Sequence, residues 1–266
     1  MLVPGLVSIS FRNLAAEEII RLVKDCDLRG IEWGGDVHVP HGDLVVAEKV
    51  GTLTREAGLQ VASYGSYYRF DECCGGENGG PSMEEVIETA QALGAPAIRV
   101  WAGNKDPEAV SGDCFQSIVA KAREFAEAAE AMGMRLDFEY HDNTLTASPE
   151  ATLRLLEAIG HPNARTLWQP PLQTSPEDRL AGLRQVQQYV SNLHVNHFDQ
   201  DPWPDIHPLA EGREEWAAYL QAINEASGDR WVLIEHVADH SPEKFADDAA
   251  ALLEWIQSKG GRDEQS

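Results

Sequence analysis

Two apolar runs in this sequence end in a glutamate with a histidine close by. In "RLDFEYHDNT" they are Glu139 and His141; in "RWVLIEHVAD" they are Glu235 and His236. Between them in chain order stand Gln169, in "TLWQPP", and His194, in "LHVNHFD". Side chains alternate along a strand, so Glu139 shares a face with His141, His194 with Asn196, and Glu235 points opposite to His236. If Glu139, Gln169, His194 and Glu235 all face inward, they form one ring of oxygen and nitrogen donors. Two carboxylates and an imidazole suit a single divalent ion of Mn, Mg, Co, Fe or Zn. Without a cation, two close carboxylates repel and one takes up a proton. The bland alternative is that a strand-end glutamate is solvated or paired with an arginine. Two at equivalent ends, with His194 between them in the order, favour a shared site. Asp137 has the parity of Glu139, so it too should point inward, where an acid needs a partner.

The elements that must position these residues alternate along the whole chain. Short apolar runs (Leu6 to Ser10, Gly30 to Trp33, Leu59 to Tyr64, Ala97 to Trp101, Arg135 to Glu139, Ala164 to Trp168, Leu193 to Asn196, Trp231 to Glu235) are each followed by a longer helical pattern. Such alternation implies parallel strands with helical crossovers. Eight units in 266 residues match a single (β/α)8 TIM barrel, which typically has ~250 residues. A doubly wound sheet also alternates, but the first run leads into "SFRNL" and no glycine-rich phosphate fingerprint. Gly58, Gly94 and Gly133 fall where helices should end in a left-handed residue. Ser148-Pro149 and Ser241-Pro242 read as helix starts. The barrel is assigned to residues 1–258, with 259–266 as a flexible tail. Polar residues gather where strands end, the face on which barrel enzymes carry their chemistry.

The formal net charge of -23 argues against binding nucleic acid, whose affinity comes from Lys and Arg, and against anionic membrane surfaces. No apolar run approaches the ~20 residues of a membrane helix, and the first residues lack a signal-peptide pattern. Four cysteines, with Cys73 and Cys74 adjacent and no Cys-x-x-Cys spacing, read as thiols in a reducing compartment. A cytoplasmic protein, possible as a homo-oligomer, is the expectation.

Further candidates sit beside the strand ends. Trp33, His38, Tyr64, Arg99, Trp101, His141, Asn196 and Trp203 are expected to contact a small carbohydrate substrate, the aromatic faces lying on C–H surfaces. By default each aromatic residue packs the core or a loop, and His141, His197 and His236 serve as loop hydrogen-bonders. Arg12, Arg69 and Arg99 are candidate anion contacts. The long connections Arg69 to Pro81 and Asn196 to Gly212 are expected to border the pocket as lids.

The segments "GIEWGGDVHVP", "VASYGSYYR", "IRVWAG", "FEYHDNTLT", "TLWQPP", "LHVNHFD" and "VLIEHV" resemble those of the xylose isomerase-like barrels of the sugar phosphate isomerase/epimerase family. That family includes ketose 3-epimerases, inosose dehydratases, hydroxypyruvate isomerase and an abasic-site endonuclease. The resemblance implies one divalent ion held by Glu, Asp, His and Glu. By motif these are Glu139, Gln169, His194 and Glu235; Gln169 departs from the aspartate and offers an amide oxygen without charge. His141 is the natural compensating ligand or substrate contact. The implied chemistry is proton abstraction next to a carbonyl through an enediolate, with Glu139 and Glu235 as the acid/base pair. A metal-dependent sugar isomerase or epimerase is the leading expectation. A lyase or dehydratase on a keto-sugar or cyclitol is the first rival, and a non-catalytic sugar- or partner-binding barrel the second.

Overall fold

The computed structural model of the chain describes residues 1–70, 80–199 and 205–260. Strand β1 covers Leu2–Val7 and begins before the expected Leu6. Pro4 and Gly5 look like turn residues but lie inside it. A Cβ on Gly5 would come within 2.5 Å of the Gly30 carbonyl oxygen and 2.7 Å of the Leu233 side chain, so glycine is needed for close strand contact. Ser8–Phe11 then turn out of the sheet as a short 3-10 helix, and the Ser8 hydroxyl accepts the Gly34 N–H at 2.9 Å.

The remaining strands are β2 (Gly30–Gly34), β3 (Gln60–Arg69), β4 (Ala97–Trp101), β5 (Arg135–Glu139), β6 (Ala164–Trp168), β7 (Val190–Val195), the short β8 (Phe198–Asp199) and β9 (Asp205–Ile206), and β10 (Arg230–Ile234). Eight of them close a parallel barrel in the order β1-β10-β7-β6-β5-β4-β3-β2. β1 closes it by pairing with β10, Leu2 opposite Arg230, and with β2, Gly5 opposite Gly30. β8 and β9 form an antiparallel ribbon, a local pairing that the sequence pattern does not reveal.

The helices on the outside are α1 (Ala16–Asp25), α2 (Leu44–Glu56), α3 (Met83–Leu93), α4 (Gly112–Ala131), α5 (Pro149–Ile159), α6 (Pro176–Val186), α7 (Arg213–Asn224) and α8 (Pro242–Gly260). The chain is therefore a single (β/α)8 TIM barrel. Their ends follow local chemistry. Ser148 accepts the Ala151 N–H ahead of Pro149, and Gly58, Gly94 and Gly133 hold φ of 81°, 77° and 74°, a region that disfavours a Cβ.

Each strand sends alternate residues outward. Ile31 and Trp33, Phe138, Trp168, and Val232 and Ile234 are buried in the main core. The helices cover them with periodic apolar faces, such as Phe115, Ile118, Val119, Ala122 and Phe125 of α4. Inside the barrel, Val7, Ile9, Ala62 and Leu233 form a separate small apolar cluster. Other inward positions are polar, and Glu32, Arg99, Glu139 and His194 among them lie at or near the C-terminal strand ends. Strand β3 runs beyond the expected Tyr64 to Arg69 with a register shift between Gly65 and Tyr68. The Ser66 hydroxyl donates to the Arg99 carbonyl at 2.6 Å and accepts the Tyr68 N–H at 3.2 Å. The bulge puts Tyr67 at φ 55° and aims it at the barrel mouth.

Candidate active site

Glu139 is the last residue of β5, His194 lies near the end of β7, and Glu235 directly follows β10. Each offers one ligand atom, and these atoms lie within 4.8 Å of one another. Opposite donors around one ion at ~2.0–2.2 Å are about 4.4 Å apart, so a closing movement of a few tenths of an ångström at most brings all three onto a single cation. His194 Nδ1 is 3.2 Å from Glu235 Oε2, yet it is a buried nitrogen with no hydrogen-bond partner among the described residues. An orphaned imidazole nitrogen facing two carboxylates is the donor chemistry that a divalent ion completes.

Two further charged groups lie beneath. Arg99, near the end of β4, pairs with Glu32 through Nε at 2.7 Å and with Glu139 through Nη1. Glu32, near the end of β2, is fully buried; it also accepts the Ser63 hydroxyl and lies 3.4 Å from His194 Nε2. Once His194 gives up its proton, as a metal ligand must, the carboxylates of Glu32, Glu139 and Glu235 with one guanidinium leave two negative charges. One divalent cation balances that count. Burial pushes the Glu32 carboxyl up, but Arg99 and His194 outweigh it and hold it at about 2. Burial likewise disfavours a proton on His194, yet Glu235 and Glu32 raise it to about 10. Glu235 is held well below the usual carboxylate range, with His194 and His236 overcoming its burial. A cation would take the place of the His194 proton, since ligands bind metals deprotonated.

The two glutamates differ in their surroundings. Glu139 Oε2 accepts both Arg99 and the Trp101 indole N–H, and Oε1 faces the Gln169 amide at 3.3 Å. The same amide donates to the Tyr140 carbonyl at 3.0 Å, which fixes which end of Gln169 faces the glutamate. Among the described residues, the side-chain ion-pair contacts of Glu235 are to imidazoles, His194 at 3.2 Å and His236 at 3.8 Å.

Above this cluster opens a cavity of about 420 Å³. Arg99, Trp101, Glu139, His141, Gln169 and Glu235 line it. Trp101 is stacked on His141 with centroids 4.5 Å apart, and Arg69 lies over its ring at 3.5 Å. Other expected contacts do not line the cavity. Trp33 and Tyr64 alternate with inward residues and so face the helices. Trp33 donates to Thr54 of α2 at 3.2 Å, and Tyr64 donates to the Val39 carbonyl at 3.0 Å. His38 sits at the Ser8 hydroxyl at 2.9 Å, and Asn196 is buried. Trp203, Cys73 and Cys74, most of the Arg69 to Pro81 connection and the end of the tail lie outside the described residues.

Several residues come to the site without having been singled out for it. Glu32 is placed by parity, which opposes it to Trp33. Tyr67 is aimed by a bulge, its hydroxyl accepting from the expected anion contact Arg12 at 3.1 Å, and Phe198 arrives on the β8 ribbon. Parity was a readable signal for Glu32; the bulge and the ribbon left none. Asp137 is buried as its parity requires and pairs with Arg135 through two bonds of 2.7 and 2.8 Å.

The chain and its fold are similar to known proteins. A 3-dehydroshikimate dehydratase of Bacillus anthracis is 24% identical over 209 residues, 73% of this chain and 71% of that protein. The crystal structure of the probable 3-DHS dehydratase involved in petrobactin synthesis from Bacillus anthracis superposes with a TM-score of 0.78 at 19% identity, covering 95% of this chain and 99% of that one. A D-allulose 3-epimerase from Methylomonas sp. has a TM-score of 0.67 at 14% identity over 97% of this chain and 98% of that one. With the family model matching residues 20–259, the chain belongs to the xylose isomerase-like TIM barrel family.

Proposed function

We propose that the protein is a metal-dependent dehydratase that removes a proton next to the carbonyl of a small polyhydroxylated substrate and then expels a hydroxyl group. The observation that carries this reading is the inequality of the two glutamates. Both oxygens of Glu139 are engaged, by a guanidinium, an indole N–H and an amide, so Glu139 serves as an anchored ligand. Glu235 keeps its second oxygen for the substrate and acts as the general base. When bound at Glu139, His194 and Glu235, with Gln169 adjacent, a divalent ion supplies Lewis-acid charge to a substrate oxygen.

Glu235 takes the proton from carbon, and the electron pair is delocalised toward the carbonyl as an enediolate. The pair returns to form a C=C bond as the neighbouring C–O bond breaks. The proton held by Glu235 passes to the departing hydroxyl, so the net loss is one water and the carboxylate is regenerated. Trp101 and His141, stacked together, form one wall against which a flat ring can lie. The dehydratase relative of the same family supports this outcome.

Epimerisation is the second reading. It draws on the nearness of Glu139 and Glu235 and on the likeness to the epimerase structure. Incubating Mn-loaded protein in heavy water with 3-dehydroshikimate and with ketoses such as D-allulose and D-tagatose separates the two. Dehydration gives a product lighter by one water. Epimerisation gives an isomer that keeps its water and is heavier by the deuterium at the inverted carbon. Neither exchange nor mass change with Mn, Mg or Co across such a panel overturns both and favours a binding role.

A further inference from the structure

Glu32 is an expensive residue to place where it is. Its carboxylate is fully buried, and burying an ion requires compensating partners. Neutralising Arg99 does not require it, because Glu139 already pairs with that guanidinium. The chain nevertheless builds a cradle for it. Ser63 donates to Oε2 and Arg99 Nε to Oε1. Gly65 leaves the room: a Cβ there would stand 3.1 Å from Glu32 Oε1 and 2.6 Å from Arg99 Nη2.

The contact that these two partners leave over is to His194. Glu32 Oε2 lies 3.4 Å from Nε2 on one side of the imidazole, while Nδ1 faces Glu235 at 3.2 Å on the other. A neutral imidazole carries a single N–H. A carboxylate accepts hydrogen bonds and donates none, so beside Nε2 it draws the N–H there and leaves the Nδ1 lone pair for a cation. We propose that Glu32 is a positioning residue that makes His194 a metal ligand through Nδ1 by holding its proton on Nε2. This inference rests on the reading of Glu139, His194 and Glu235 as a metal site. It also gives a reason for a third carboxylate near a site whose Gln169 brings no charge. Carboxylates behind ligating histidines orient the ring and raise its donor strength.

The test uses full-length protein and Mn2+ as probe, with affinity read from the free-ion electron paramagnetic resonance signal. Loss of such a partner typically weakens metal binding about 10–100-fold. Glu32→Gln should show that loss while keeping its circular dichroism spectrum, because the amide can turn its NH2 toward Nε2 and force the other tautomer. Asp248→Asn, on α8 and bonded to the Leu209 N–H, should bind Mn2+ as wild type does. If Glu32→Gln binds Mn2+ as wild type does, the role of Glu32 is overturned and the metal site stands. If wild-type protein binds none of Mn2+, Mg2+, Co2+ or Zn2+, the metal reading itself fails.

A second measurement needs no variant of Glu32 and so survives a folding defect. Long-range 15N–1H correlation spectra of Zn2+-loaded wild-type protein, with His194 assigned from its absence in His194→Gln, should show the proton on Nε2. A proton on Nδ1 overturns the proposal.

Discussion

At Glu139 one carboxylate accepts a guanidinium, an indole N–H and an amide, while Glu235 a few ångströms away pairs, among the described residues, with imidazoles. The difference predicts different losses on substitution. Glu235→Gln should lower deuterium exchange into an accepted substrate by about 10²–10⁴-fold, the range of a general base, even at saturating metal. Glu139→Gln should first weaken metal binding and recover much of its exchange when excess Mn2+ is supplied. Single-turnover exchange followed by NMR over a metal titration distinguishes these outcomes. Equal losses in both variants at saturating metal would restore the two-base epimerase.

The barrel wall fixes those side chains only if the helical layer closes tightly around it, and α2 against α3 is one of its closest contacts. A Cβ on Gly51 would lie 2.1 Å from the Leu93 carbonyl oxygen and 2.9 Å from the carbonyl carbon. Both are backbone atoms at the end of α3, so they cannot rotate away. Alanine in a helix gains up to about 1 kcal/mol over glycine. Overpacking that forces backbone shifts costs about 1–3 kcal/mol. The overlap should win, so Gly51→Ala should lose about 1–2 kcal/mol in a urea unfolding curve. A stabilised variant would show that the helices separate at little cost.

The whole molecule is strongly acidic, and a net charge of -23 opposes compaction through self-repulsion. No helix among the described residues is long and apolar enough to cross a membrane. Within this excess of acid, Asp248 of α8 is buried and accepts the Leu209 N–H at 2.8 Å. Burial raises its carboxyl from 3.8 to about 6. The folded state therefore holds this proton in a range where the unfolded chain has released it. Its contribution to stability falls as pH rises from about 4 through about 6 and stays low above. Asp248→Asn keeps an acceptor without the charge. It should gain of order 2 kcal/mol at pH 8 and almost nothing at pH 4, read as the melting-temperature difference between variant and wild type. An equal gain at both pH values would point to a cause other than ionisation.

Much of this protein is legible in its sequence. The alternation of apolar runs with helical patterns, punctuated by Gly58, Gly94 and Gly133, specifies eight parallel units because periodicity and caps are local properties. Parity along each strand places Glu139, His194 and Glu235 on one inward face, and it places Glu32 there too, opposite Trp33. Other features depend on contacts between segments far apart in the chain. Gly5 sits in a strand because Gly30 and Leu233 press on it, and Tyr67 turns into the cavity because Ser66 binds the Arg99 carbonyl. The two glutamates look alike in their own strands. Only the neighbours brought by β4 and β6 tie one of them down, and only closure of the barrel brings Glu32 of β2 against His194 of β7.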